Sequence, residues 1–519
     1  MIEKVRIRLK PADFADKNRL ETLLQGVSVD KLNDWRIVRK STDARQKQVL
    51  IDAEFLVATG DDMKVTDEFK PVNFGKLNPD APTVVIIGAG PAGLFAALRA
   101  LELGWKPVVL ERGKPVSERL RDVVNLQKNQ LLDPDSNFCF GEGGAGAFSD
   151  GKLFTRSKKR GNVKEILALL HQFGAKEEVM YESHPHIGSD RLPKVIKAIR
   201  ECIIEHGGEV LFSTSMKKLI IKNDRVTGVT DSNGNDFSGP VILATGHSAH
   251  DVYEYLASGN IKLEQKGFAM GVRLEHPQHL IDRIVYHSKE GRGEYLPAAE
   301  YKMATQVDGR GVYSFCMCPG GVIVPSASAP GESVVNGMSA SGRSGRWANS
   351  GMVVEIRPED FPEYERQGSL GMLRLQQETE RKFYNESHSL NAPAQRMNDF
   401  INHKISKDLP RSSYVAGIHS ADLHQLLPEN IASRLGKGLE YFGKKYKGFS
   451  TNEAVLIGLE SRTSSPVRIP RNPDTLEHVD LKGLYPVGEG AGYSGGIVSS
   501  AIDGRRAMDS IAAKRIYNN

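Results

Sequence analysis

Val84-Val85-Ile86-Ile87-Gly88-Ala89-Gly90-Pro91-Ala92-Gly93 is the stretch on which the reading of this chain turns. Four apolar residues in succession suit a parallel strand buried on both faces. Three glycines follow, each with a mechanical task. Gly88 permits a tight turn, Gly90 lets the backbone approach a pyrophosphate, and Gly93 lets the next helix pack close to the strand. The helix that Pro91 and Ala92 open presents free N–H groups and a positive dipole end to that phosphate. Ala97 is small, Gly104 ends the helix, and Val108-Val109-Leu110 forms a second strand. Glu111 closes it, 18 residues after Gly93, where an acid meets adenosine ribose hydroxyls. A glycine-rich turn alone is weak evidence. Strand, glycines, helix and acid in register describe a dinucleotide site, without separating NAD from FAD.

The 519 residues exceed what one hydrophobic core supports, so two or three domains are expected. A net charge of +5, from 69 basic against 64 acidic residues, is too small to argue for a nucleic-acid or membrane partner. The short clusters Lys158-Lys159-Arg160 and Lys444-Lys445-Tyr446-Lys447 read as solvated loops. No apolar run reaches the ~20 residues of a membrane helix. Residues 1–6 alternate charged and apolar side chains and lack a signal-peptide core. Four cysteines in so long a chain suit a reducing compartment, and a cytoplasmic location is the expectation. No metal site is expected.

The patterning predicts an α/β protein: a Rossmann-like parallel sheet with helices, an inserted mixed α+β domain, and a small N-terminal module. Residues 5–9 alternate as a strand. Leu20, Leu23 and Leu24 follow at helical spacing until Gly26, and strand-like runs occupy 35–38 and 49–57. This βαββ pattern bounds a module at 1–57, with a linker at 58–82. The dinucleotide domain is expected from 82–266 and 449–519, and the substrate domain from 267–448. Within the latter, residues 267–356 are rich in strand formers and 371–447 have helical spacing.

The segment 88–93, taken with Glu111-Arg112, resembles the opening of flavoproteins with the glutathione-reductase type of FAD domain. Val241-Ile242-Leu243-Ala244-Thr245-Gly246 is similar to that superfamily's strand ending in Ala-Thr-Gly. Leu484-Tyr485-Pro486-Val487-Gly488-Glu489-Gly490 is similar to its late strand ending in Gly and an acid, although Asp is commoner there than Glu. A closer resemblance is to a bacterial family of FAD-dependent dehydrogenases of unassigned substrate. Phe140-Gly141-Glu142-Gly143-Gly144-Ala145-Gly146-Ala147-Phe148-Ser149-Asp150-Gly151-Lys152-Leu153 resembles its signature loop, and segments 186–190, 315–321, 461–466 and 488–496 resemble further parts. The resemblance implies a resident FAD held by Gly88, Gly90, Pro91, Ala92, Gly93, Glu111 and Arg112. It adds Gly144, Ala145, Gly146, Ser149 and Asp150 from a loop passing beneath the flavin, with Thr245, Gly246, Gly488 and Glu489. Gly495, Gly496 and Ile497 would begin a helix aimed at the ring; Ile497, Ala501, Ile502 and Met508 recur at helical spacing. It implies no reaction.

Catalytic candidates are His247, directly after Ala-Thr-Gly, Glu142 and Lys152 in the loop, and Arg462. Imidazole suits proton transfer, and Arg462 suits an anionic substrate, a nicotinamide phosphate or a structural salt bridge. His184, His186 and His250 read as loop histidines. Cys316 and Cys318 flank Met317 on an expected strand, which puts both thiols on one side. A redox dithiol or a metal site is one reading, although two cysteines are too few for zinc without histidines from elsewhere, and simple packing is the commoner one. Apart from 88–93 there is no strand–GxGxxG–helix unit: Gly141, Gly143 and Gly146 fit the spacing but follow Phe138-Cys139-Phe140, a poor strand. NADH or NADPH is therefore expected only as a transient electron donor. The expected function is FAD-dependent oxidoreduction, passing two electrons as hydride between flavin and a small organic substrate. An RNA-modifying flavoenzyme and a non-catalytic flavin sensor or scaffold are the alternatives. Against the first, the basic residues form no long stripe interleaved with aromatics.

Overall fold

The computed structural model describes residues 1–28, 30–60, 63–65, 69–155 and 161–518, with side chains through 514. The cluster Lys158-Lys159-Arg160 lies outside the described residues. The strand Thr83–Ile87 is the centre of a five-stranded parallel sheet, in the order Leu484–Pro486, Val241–Leu243, Thr83–Ile87, Lys106–Leu110, Glu209–Leu211. Val84, Val85 and Ile86 are fully buried, as a strand covered on both faces must be. One cover is the helix Pro91–Glu102, apolar nearly all round because helices Leu192–Glu205 and Ile497–Asn518 pack on it in turn. The last of these approaches closely at Gly504, where a Cβ would stand 2.0 Å from the Ala92 carbonyl oxygen. A meander of Met216–Lys222, Arg225–Asp231 and Asp236–Ser238 lies on the other side. The α/β expectation, with its Rossmann-like parallel sheet, holds.

A second, larger sheet runs in the order Ala304–Val307, Arg310–Pro325, Trp347–Ile356, Phe268–Pro277, Val455–Glu460, Ala392–Arg396, Ile418–Ser420, with Val335–Met338 paired to Arg310–Pro325. Its pairs are antiparallel apart from the last. Helix Glu429–Lys445 packs across it. Two expectations shift here. Val455–Glu460, expected with the parallel sheet, instead pairs with Phe268–Pro277 and Ala392–Arg396. The latter strand also interrupts the stretch expected to be helical. Val455–Glu460 is a short apolar run that fits either sheet, and Ala-Pro-Ala-Gln-Arg at 392–396 is too short to show a strand period, so long-range pairing decides their place.

At the N-terminus Ile2–Leu9, Leu50–Thr59 and Leu32–Asp43 form an antiparallel sheet on which helix Lys17–Val27 seats Leu20 and Leu24. That is the βαββ pattern, the helix running one residue past Gly26. Among the described residues no helix is long and apolar enough to cross a membrane.

Candidate functional site

A cavity of about 370 Å³ opens where the parallel strands end, and its wall is assembled from segments far apart in sequence. The turn after the central strand contributes Gly88, Gly90, Pro91 and Ala92, and the next strand contributes Glu111 and Arg112. Gly144, Ala145, Gly146, Ser149, Asp150 and Lys152 come from the loop; Thr245, Gly246 and His247 follow Val241–Leu243; Gly488, Glu489, Gly495, Gly496 and Ile497 close the far side. Arg462 reaches the same wall. Gly93 does not, because it acts beneath, where a Cβ would lie 1.9 Å from the Gly88 carbonyl oxygen.

The glycines test whether a cofactor fits. Gly88 is demanded by the protein itself: its φ is +102° and a Cβ would meet the Ala244 carbonyl oxygen at 2.5 Å. Gly90 and Gly495 are different. Neither has a left-handed φ, a Cβ on Gly90 would meet only Gly144 Cα at 3.8 Å, and one on Gly495 nothing within 4 Å. The room they leave belongs to the cavity, and a bound group lying against bare backbone accounts for it. Helix Pro91–Glu102 has no side-chain cap, so its first N–H groups remain for such a group. The Glu111 carboxylate accepts from Ala89 N at 2.8 Å, Gly113 N at 2.9 Å and Gly141 N at 3.0 Å. A carboxylate has about four acceptor positions, so one is left for a ribose hydroxyl. Arg112 stacks 4.6 Å over the Phe140 ring and pairs with Asp251 at 2.6 Å.

The signature loop is shaped from inside by Arg119, a residue with no motif to mark it. Its fully buried guanidinium donates to the carbonyls of Asn137, Phe138, Gly141 and Glu142. Burial lowers its pKa to about 10. Glu142 does not reach the cavity. Its Oε2 accepts from Val116 N at 2.7 Å and from Arg200 at 3.0 Å, with no exposure. The catalytic candidacy of Glu142 ends there, since the carboxylate caps the helix Val116–Asn129.

Lys152 does face the cavity, 2.7 Å from Asp150, which also pairs with Arg343 at 2.6 Å. Burial opposes ionisation of both, yet Lys152 and Arg343 hold Asp150 below the usual carboxylate range. For Lys152 the burial cost is outweighed by Cys318, Cys316 and Asp150, which push its pKa up. His247 places Nδ1 3.7 Å from Glu489 Oε2. His184 pairs with Glu300, His186 with the Ser341 carbonyl, and His250 with Gln377, outside the cavity wall.

Arg462 is spent on its neighbours. Nε donates to Glu380 at 3.1 Å, Nη1 to Ser328 at 2.6 Å and Ser248 at 3.3 Å, and Nη2 to Glu332 and Glu380, both at 2.8 Å. A guanidinium has five N–H donors, so all are committed, and the anion- or nicotinamide-binding reading of Arg462 gives way to the salt bridge. Cys316 departs in the opposite direction. Expected to pack, it lines the cavity, and only Cys318 is buried. Nothing local in the sequence marks this, because the register break falls between Phe315 and Cys318, where the strand pairs with Trp347–Ile356.

Gly495→Asp should leave the fold intact, since its Cβ meets nothing. It would set a carboxylate at the start of helix Ile497–Asn518, facing the group that occupies the cavity. Retention of that group should fall roughly tenfold, about 1.4 kcal/mol. Equilibrium dialysis with unchanged affinity would show that this helix start does not meet it.

Comparison with known proteins agrees with the geometry. Residues 83–120 match the family model of an FAD binding domain, 267–463 that of an FAD-dependent protein, C-terminal domain-like, and 1–58 a domain of unknown function. A protein of Clostridium beijerinckii, described as uncharacterized, is 42% identical over 439 residues, covering 83% of this chain and 80% of the relative. Among solved structures, a geranylgeranyl bacteriochlorophyll reductase-like protein from Thermoplasma acidophilum is 12% identical with a TM-score of 0.35, covering 84% of this chain and 80% of its own. Glycine oxidase from Bacillus cereus is 14% identical with a TM-score of 0.31, covering 83% and 95%. Likeness that low carries nothing about substrate. FAD is the cofactor of this chain.

Proposed function

The chain belongs to the same family as the Clostridium beijerinckii protein, and on that premise we propose that it is a dehydrogenase passing two electrons, as hydride, between FAD and a small organic substrate. The carrying observation is that bare-backbone positions Gly90 and Gly495 share one cavity with the polar pair Lys152–Asp150. FAD supplies two-electron transfer; the chain supplies position and charge. Gly88, Gly90 and the start of helix Pro91–Glu102 would hold the pyrophosphate, Glu111 the ribose, and Gly495 to Ile497 the opposite end, as in the glutathione-reductase type of FAD domain.

Lys152, kept protonated at Nζ, donates to a substrate oxygen, while ionised Asp150 orients it. The His247 imidazole, beside Glu489, accepts or returns the substrate proton. Arg343 fixes Asp150 from behind. We assign cofactor binding to residues 82–266 with the C-terminal segment. Substrate recognition goes to 267–448 together with Val455–Glu460, while 58–82 links the module 1–57. NADH or NADPH serves as a passing donor in a bacterial cytoplasm.

Heat-denatured protein should release FAD, and anaerobic NADH or NADPH should bleach the flavin of the native protein. Release of FMN or NAD alone would overturn the cofactor site. Retained FAD that neither nicotinamide reduces would remove the donor from the scheme.

A further inference from the structure

The strand Arg310–Pro325 pairs with Trp347–Ile356, but its register breaks between Phe315 and Cys318, where the strand takes an extra residue. Cys316 sits in that bulge with φ +44°, a left-handed conformation that a non-glycine residue keeps only where its surroundings impose it. The consequence is chemical. In an unbroken strand, residues two apart stand roughly 6.6 Å from each other, beyond the ~3.5–4.5 Å between Cβ atoms that a disulfide requires. The bulge folds the pair together instead: Cys318 Sγ donates to the Cys316 carbonyl oxygen at 3.4 Å. Cys316 faces the cavity and Cys318 lies sealed behind it, which gives one accessible and one protected sulfur.

Two cations attend the pair at Cys318 Sγ. Arg273 Nη2 is 3.4 Å from Cys318 Sγ and 2.7 Å from the Cys316 carbonyl oxygen, and Lys152 Nζ is 3.9 Å from Cys318 Sγ. Cys318 first, then Lys152 and Arg273, hold the Cys316 thiol below its usual range against the effect of burial. A thiolate is the reactive form. A pair serving only to pack would need neither the strained backbone nor the charges.

We propose that Cys316 and Cys318 form a dithiol–disulfide couple that exchanges two electrons with FAD in this cavity, a reading that rests on the cavity being the FAD site. Oxidation breaks two S–H bonds and forms one S–S bond; the two electrons and two protons go to oxidised FAD, giving its two-electron-reduced form. The reverse step restores both thiols. The protein thereby stores a second electron pair beside its cofactor.

Anaerobic dithionite titration of air-oxidised holoprotein should consume about four electrons per FAD, against about two for Cys316→Ser or Cys318→Ser, since each dithiol couple carries two. Alkylation of the denatured, air-oxidised wild type followed by peptide mass mapping should find residues 316 and 318 linked. After reduction, all four cysteines should be alkylated. This readout needs no variant, so a misfolded substitution does not affect it. A wild-type endpoint of about two electrons with both thiols alkylated, or a link through Cys139 instead, overturns the proposal. Protein isolated without FAD overturns the site reading separately. Mapping the apoprotein in glutathione buffers then decides the couple: a 316–318 link supports it, and persistent free thiols in fully oxidised buffer overturn it.

Discussion

Arg462→Met is expected to cost roughly 3–5 kcal/mol of unfolding free energy, because it strands buried carboxylates rather than deleting a surface charge. Glu380 has no exposure and Glu332 only 3%, and both lean on this guanidinium at 2.8 Å. Burial, then the neighbouring Glu380, already pushes the Glu332 carboxyl above its ordinary value of 4.5. Without the cation it rises further. A carboxyl whose folded value exceeds its unfolded one contributes stability that is full below about pH 4.5 and is lost as pH rises through the folded value. The deficit of the variant should therefore be largest at pH 8 and shrink toward pH 5. Adding Glu332→Gln and Glu380→Gln should recover most of the loss, as apolar or neutral replacement of a buried charge cluster often does. Urea melts showing a deficit under 1 kcal/mol at pH 8 would return Arg462 to the list of groups free to bind substrate.

Gly93→Ala is the second large effect. The added methyl would stand 1.9 Å from the Gly88 carbonyl oxygen and 3.2 Å from Ile86 Cγ2, and the first of these is backbone held by the turn itself. Gly88 cannot yield, because its own φ of +102° and its closeness to Ala244 fix it. The helix Pro91–Glu102 must move off the central strand, opening its packing against the C-terminal helix as well. A loss of about 3 kcal/mol or more is expected, accompanied by loss of bound FAD, since the displaced helix start is the proposed phosphate site. Full FAD occupancy in the Gly93→Ala variant, with an unchanged denaturation midpoint, would mean that helix and strand are not locked at this glycine.

Legibility followed the range of the interactions. The dinucleotide turn was readable because its parts are local: strand, glycines, helix and acid occupy residues 84–111, and each is demanded by backbone geometry within a few residues. The helix opening at Ile497 was readable for the same reason. Arg119 was not, because nothing around it in sequence announces that four carbonyls of a later loop will converge on it. Glu142 and Arg462 looked like site chemistry because a charged residue in a glycine-rich or serine-rich stretch reads the same whether it faces a cavity or a buried partner. Val455–Glu460 was apolar enough for either sheet.

The sequence by itself determined a parallel-sheet dinucleotide core, its cofactor class through resemblance, and the glycine-rich turns that form much of the cavity wall. Only the tertiary structure decided which charged side chains remain free there. A guanidinium or carboxylate is claimed by whichever partner the fold brings within 3 Å, and that partner can lie far off in the chain, as Asp150 does, 193 residues from Arg343. The same holds for Cys316. Its alternation pattern is local and predicts packing, but the register of Arg310–Pro325 against Trp347–Ile356 forces the bulge that turns its thiol to the cavity.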